Sequence, residues 1–346
     1  MLIYLSLLFK YSLFYLFFFL IGRSFTSLLI KLFSKESGFQ NYILNIKSTI
    51  LYPIIGLIFT GNLLIFLNYF FPLRSNIIFI ILSLFLLINV NNKLSIKDIK
   101  KYLDLKFLFY YVFIPGVLLA SSYSISFHYD AGFYHLSHQN WLRESNMIFG
   151  MVNIFWAYGM SSIYEYLSAI LWFDSTFILL HFLNLIFVHF LILFIWDNSL
   201  FGKFKELKFI AYMLIIVSLL DNFGLQGGRN GYIYLDGVTK QDVTVGILFC
   251  FVSFTTIKLI NEKNLKDLDI VILSLMSLFI IQIKISGIFI LYVYFIFILN
   301  IIIRNKLKFS NLLKLHIPLF AFLSSWLLKN FFTTGCLIFP FTPTCR

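Results

Sequence analysis

Residues 127–146 read FHYDAGFYHLSHQNWLRESN and place His128, Asp130, His135, His138, Arg143 and Glu144 within twenty positions. A carboxylate such as Asp130 can take a proton from a hydroxyl that is about to attack. Imidazoles, a guanidinium and a second carboxylate can orient the polar ligand that carries it. A helix is expected from Phe133 to Asn146, with Gly132 breaking the chain just before it. At ~100° per residue, Tyr134, His138, Trp141 and Glu144 would share one face. Asp130 would then lie at or before the helix N-terminus, where the backbone dipole favours a carboxylate. The competing expectation is an interfacial helix, with Trp and Tyr at headgroup level and the charges in water.

His135 and His138 are one helical turn apart with Asp130 nearby, and Zn²⁺ or Mn²⁺ accepts such ligands. No second dense His or Cys cluster completes that set, so no transition-metal site is assigned. A hard divalent cation shared between Asp130 and a substrate phosphate is the remaining metal chemistry.

Other polar groups sit close to apolar runs. MVNIFWAYGMSSIYEYLSAILWF, residues 151–173, has no clean span and reads as a re-entrant or interfacial segment tucked under the first island. Tyr164 and Glu165 in it could reach the same cavity, or the segment is an aromatic belt. Gly227-Gly228-Arg229-Asn230-Gly231 is followed by Asp236, Lys240 and Asp242. Glycines let backbone N–H groups approach an anion, and Arg229 suits a phosphate. The spacing G-x-x-x-x-G-K-[ST] is absent, so this is no Walker loop, and a plain turn is the alternative. Lys284 interrupts FIIQIKISGIF, where an ammonium either snorkels or holds a lipid phosphate. Cys336 and Cys345 flank a short, proline-containing stretch that can close as a disulfide in an oxidising compartment. Cys250 reads as a packed apolar residue.

The elements that must position these residues follow from composition. The chain has 346 residues, 60% hydrophobic and only 12% charged. Its mean hydropathy is +0.90. A water-soluble exterior cannot be built from that mixture, and the apolar runs are continuous rather than alternating. The expected fold class is all-α, a polytopic transmembrane bundle forming one integral membrane domain over 1–346. The net charge of +12 sits in short Lys-rich loops, a topological signal rather than a nucleic-acid footprint, with anionic membrane lipid as neighbour.

About ten spans are expected, with the N-terminus outside. They fall near 2–22, 50–71, 76–91, 107–124, 174–196, 209–221, 243–257, two short ones within 269–303 split at Lys284, and 312–329. Arg23, Lys31 and Lys47 then lie in a first inside loop, and Lys93 to Lys106 in a second. The polar stretches 125–173, 221–242 and 330–346 all fall outside, where they can converge on one cavity. No secondary-transporter repeat is visible.

YDAGFYHLSHQNWLRE, with Gly150 and Asn153 beyond it, resembles the first large external loop of a bacterial multispanning family. That family carries a pattern close to Y-D-[ST]-G-x-Y-H-x-x-x-x-x-W and is found with envelope-polysaccharide genes. NFFTTGCLIFPFTPTC is similar to its late segment, N-x-x-x-[ST]-G-x-x-x-x-P. The family's architecture is similar to that of GT-C glycosyltransferases, which use polyprenyl-phosphate-linked sugars. The resemblance implies an inverting transfer at the periplasmic face of the inner membrane, in O-antigen or capsule assembly, with Asp130 as base. Arg229 and Lys284 would neutralise the leaving phosphate, and His135, His138 and Glu144 would orient sugar or base. GT-C enzymes place the loop after their first span, whereas four precede it here, and the family's members continue beyond the position of Arg346. An O-antigen polymerase would use paired arginines, for which Arg143 and Arg229 are available. A flippase would need charges inside the spans, where Lys10, His181 and His189 stand out. A non-catalytic scaffold is the remaining class.

Overall fold

The computed structural model describes residues 2–33, 42–44, 46–74, 76–89, 105–120, 127, 129–173, 177–200, 208–209, 212–213, 241–260, 265–305 and 308–346. They form an all-α bundle, with one short antiparallel pairing of β1 (Tyr42–Ile43) and β2 (Ile46–Lys47). Five helices are long and apolar enough to cross a membrane, or six if one bent pair counts as a single span. This is a membrane protein, but the described residues hold fewer spans than the ten expected. The run near 76–91 gives only α3, Asn76–Asn89. Its fourteen described residues reach ~21 Å, and the residues from 90 to 104 lie outside the described ones. The run near 107–124 gives α4, Lys106–Leu118, which contains a π turn over Phe109–Phe113 and is also short. The span expected near 209–221 lies largely outside the described residues.

The first helix corrects a second expectation. It does not stop near residue 22: α1 runs from Leu2 to Phe33, so Arg23 and Lys31 belong to the helix rather than to a loop. It crosses α2, Ser48–Asn68, at Gly22 and Gly56. A Cβ on Gly56 would fall 2.0 Å from the Phe18 carbonyl oxygen, and one on Gly22 1.8 Å from that of Tyr52. Only hydrogen side chains permit this approach, the way small residues join apolar helices where no hydrophobic drive separates them from lipid.

The polar segment continues as a π turn, Ala131–His135, and then α5, Leu136–Glu144. Two 3-10 turns lead into α6, Ile163–Ala169, every residue of which is buried. The expected tucked segment is thus folded into the bundle. Its Tyr164 reaches not the cavity but Asn184 of α7, Ile178–Phe194, to which its hydroxyl donates.

Next come α8 (Asp242–Ile260) and α9 (Asp267–Ile283). α9 is apolar on all sides and buried from Leu268 to Ile283, so it is the inner helix of the bundle. The break at Lys284 matches expectation: a 3-10 turn, Ile285–Phe289, leads into α10, Ile290–Asn305. The last apolar run forms α11 (Phe309–Leu315) and α12 (Ile317–Thr334), bent by 55° at the junction. It reaches five residues further than expected, which draws Asn330 out of the tail and into the helix.

The connections define two ends. At one, Lys47 pairs with Asp197 at 2.6 Å, and the Leu44 amide donates to Asp269 at 2.6 Å. At the other lie the C-terminal ends of α2, α9 and α12, the start of α8, and the 129–173 segment. There the Leu73 amide donates to the Leu142 carbonyl at 2.9 Å and the Gly150 amide to that of Phe332 at 2.8 Å.

Candidate functional site

A cavity of about 260 Å³ opens at this second end. The polar segment contributes Asp130, Tyr134 and His135, and the loop before α6 contributes Ser161 and Ser162. The start of α8 brings Gln241 and Asp242, and the end of α9 brings Gln282 and Lys284. Trp326 and Asn330 come from α12, and Phe339 from the C-terminal hairpin.

Each wall is held by local chemistry. Ser162 caps α6 by accepting from the Tyr164 amide at 3.1 Å. Gln282 and Asn62 exchange side-chain amide bonds of 2.8 and 3.2 Å across the buried interior, which ties α9 to α2. Asn330 donates to the Leu337 carbonyl at 3.0 Å. Cys336 and Cys345 are bonded to one another, closing a hairpin that sets Phe339 against Gly159. A Cβ on Gly159 would lie 2.7 Å from that ring, so a glycine is needed for the hairpin to seat on the cavity wall.

Asp130 and Lys284 both face the cavity. Lys284 already has an anionic partner, since its Nζ lies 2.5 Å from Asp242 Oδ1 at the mouth, with both side chains about half exposed. A bound phosphate would share or replace that partner. His135 also faces the cavity, and its Nδ1 lies 2.5 Å from Oε1 of Glu165. His138 turns away from the cavity, its Nδ1 close to Oε2 of the same carboxylate but not hydrogen-bonded to it. Its ring stacks on Tyr158, with centroids 5.5 Å apart. Behind this group, the fully buried Lys329 donates to the Ser161 carbonyl at 2.9 Å. The Lys329 ammonium lies 5.8 Å from the Tyr166 ring and 5.9 Å from the Trp326 ring.

Burial keeps both imidazoles neutral. His135 is lowered to about 4, first by burial, with Asp130 pulling up and Lys284 pushing down. His138 is lowered to about 3 by burial, then by Lys329 and His135. Burial also raises the Tyr134 hydroxyl, helped by Asp130 and Asp242. Asp130, Asp242 and Lys284 therefore all act electrostatically on side chains of one cavity.

The expected face of Tyr134, His138, Trp141 and Glu144 does not form. The π turn over 131–135 adds a residue to its turn and shifts the register of the helix beyond it. Tyr134 lines the cavity and His138 is buried, while Trp141 and Glu144 are exposed. Arg143 and Glu144 do not reach the cavity. Arg143 donates to the Ala169 carbonyl at 2.7 Å and lies 5.0 Å from the Trp172 ring. Glu144 pairs with Arg74 at 2.8 Å on the surface. Both hold α5 in place. His128, Arg229 and Asp236 lie outside the described residues. Among the described residues, no three His, Cys, Asp or Glu side chains are grouped to hold a metal ion.

Lys329 escapes a reading of the sequence because it falls at the last position of the expected final span, where an ammonium can snorkel. An ionisable residue at the edge of an apolar run is its one signal. Asn62, Gln282, Trp326 and Phe339 carry no signal at all. A family model for a domain of unknown function matches residues 4–345. No curated protein and no solved structure matches the chain.

Proposed function

We propose that this chain, which belongs to the DUF8201 family, is a membrane transferase of GT-C-like architecture acting on a polyprenyl-phosphate-linked sugar. It would work in O-antigen or capsule assembly at the periplasmic face of the bacterial inner membrane. The observation that carries the reading is the cavity itself: a carboxylate, an imidazole and an ammonium meet at one end of an otherwise apolar bundle. A ligand with an apolar tail and a polar headgroup suits such a place, because the tail stays in lipid while the headgroup enters. Lys-rich segments at the opposite end support the orientation.

In this reading Asp130 accepts the proton of the acceptor hydroxyl. The oxygen forms a bond to the anomeric carbon, and the bond from that carbon to the phosphate oxygen breaks. The electron pair leaves with the polyprenyl phosphate, whose charge Lys284 balances. Asp242 holds Lys284 at the mouth until the phosphate arrives.

Two features weigh against the other readings. Arg143 is committed to Ala169 and Trp172, which takes away one of the arginines a polymerase would pair. In the apolar interior, His189 spends both ring nitrogens, on Tyr11 at 3.0 Å and the Tyr110 carbonyl at 2.8 Å. It is a packing contact rather than a step in a transport path.

The test is Asp130→Asn in the native host, at matched membrane levels, with lipid-linked and surface glycans profiled. Loss of one glycan with build-up of its lipid-linked precursor is expected. A wild-type profile, where deletion of the gene alters it, would reject Asp130 as the base.

A further inference from the structure

Behind the cavity wall lies a carboxylate that does not line it. Glu165 is 2% exposed, yet both of its oxygens face imidazole nitrogens from a single segment, with His135 hydrogen-bonded to Oε1 and His138 Nδ1 close to Oε2 without a hydrogen bond. The three-residue spacing of the two histidines delivers one ring to each oxygen. A buried anion without a partner is costly. Lys329 of α12 lies close enough to depress the titration of His138.

The consequence lies at His135. A neutral imidazole carries one proton, and the partner of one nitrogen decides where that proton sits. With Nδ1 against a carboxylate, the proton belongs on Nδ1, and Nε2 keeps a lone pair. The His135 ring lines the cavity, and among the described residues its only hydrogen bond is the one to Glu165. Nε2 is therefore the ring atom offered to a ligand.

We propose that Glu165 is a positioning residue that fixes His135 as the Nδ1–H tautomer, so that Nε2 accepts a hydrogen bond from a hydroxyl of the bound headgroup. The tautomer follows from the protein alone; the ligand contact rests on the transferase reading above. The arrangement gives the cavity a direction, since a sugar hydroxyl is read by an acceptor at His135 while Asp130 takes the reacting proton.

The experiment uses the full chain in lipid nanodiscs with ¹⁵N-labelled histidine, the His135 signals being assigned by comparison with His135→Gln. Protonated and lone-pair ring nitrogens resonate far apart. A protonated Nδ1 and a bare Nε2 are expected at pH 7, and a mixture of tautomers in Glu165→Gln. Where Glu165→Gln fails to fold, the His135 ring signals of the wild type decide the proposal by themselves. A doubly protonated His135, or one protonated on Nε2, in the wild type overturns the proposal.

A second arm profiles glycans in the native host. Product formation by His135→Gln is expected to fall about tenfold, as for one lost ligand hydrogen bond. A wild-type profile for His135→Gln, while Asp130→Asn is defective, overturns the ligand contact and leaves the transferase reading intact. If neither variant differs from wild type although gene deletion does, the transferase reading fails, and the ring signals alone decide the role of Glu165.

Discussion

Lowering the pH from 7 to 5 should loosen the cap formed by 131–169, because two buried imidazoles refuse protons they would take once exposed. An exposed histidine titrates near 6.5, whereas His135 is lowered to about 4 and His138 to about 3. Glu165, Asp130 and Lys284 face the first ring, and Glu165 and Lys329 the second. Between the folded values and 6.5 the open state binds more protons than the closed one, so acid favours opening. The stabilisation is complete above 6.5, declines as pH falls through that window, and levels off only below the folded values. At pH 5 each ring accounts for roughly 2 kcal/mol of loss, or about 4 kcal/mol together. The opening constant of the cap should then rise on the order of a thousandfold. Hydrogen–deuterium exchange of amides 136–144 in nanodiscs, corrected for the intrinsic pH effect, measures this directly. His138→Phe removes one titration and should leave a rise of only about thirtyfold. Equal corrected exchange at pH 7 and pH 5 in the wild type would refute the argument, since the rings could not then be buried and neutral.

Other predictions concern packing. Gly56→Ala should force α1 and α2 apart, because the new Cβ would sit 2.0 Å from the Phe18 carbonyl oxygen. A cost of about 1–3 kcal/mol is expected, read as a lower thermal midpoint of the detergent-solubilised protein. An unchanged midpoint would mean that the crossing is not as close as described. Replacing Cys336 and Cys345 with serine removes the tie across a separation of nine residues and should cost the hairpin about 2–3 kcal/mol. Phe339 would then leave Gly159, so faster proteolysis after Gly335 is the expected readout, and protection equal to the wild type would count against it.

The class of this molecule is legible in its residues. Continuous apolar runs forbid a soluble exterior, and Lys-rich interruptions mark the ends. Lys284 is visible as a break because a charge between two apolar runs has few places to go. Asp130 and His135 stand out for the same reason, and they do share a cavity. The failures have physical causes. Helical periodicity assumes 3.6 residues per turn, so it cannot anticipate the π turn at 131–135 that takes Tyr134 out of register with the helix beyond it.

What residue types and their order determine here is the solvent each segment must seek, which is enough to specify a helical membrane bundle with a polar end. What only the tertiary structure decides is which polar groups meet. Glu165 finds His135 from 30 residues away, Lys329 finds Ser161 from 168, and Gln282 finds Asn62 from 220. Such partners are chosen by the close packing of helices and by the cost of leaving a buried polar group alone, and neither is a property of any one segment.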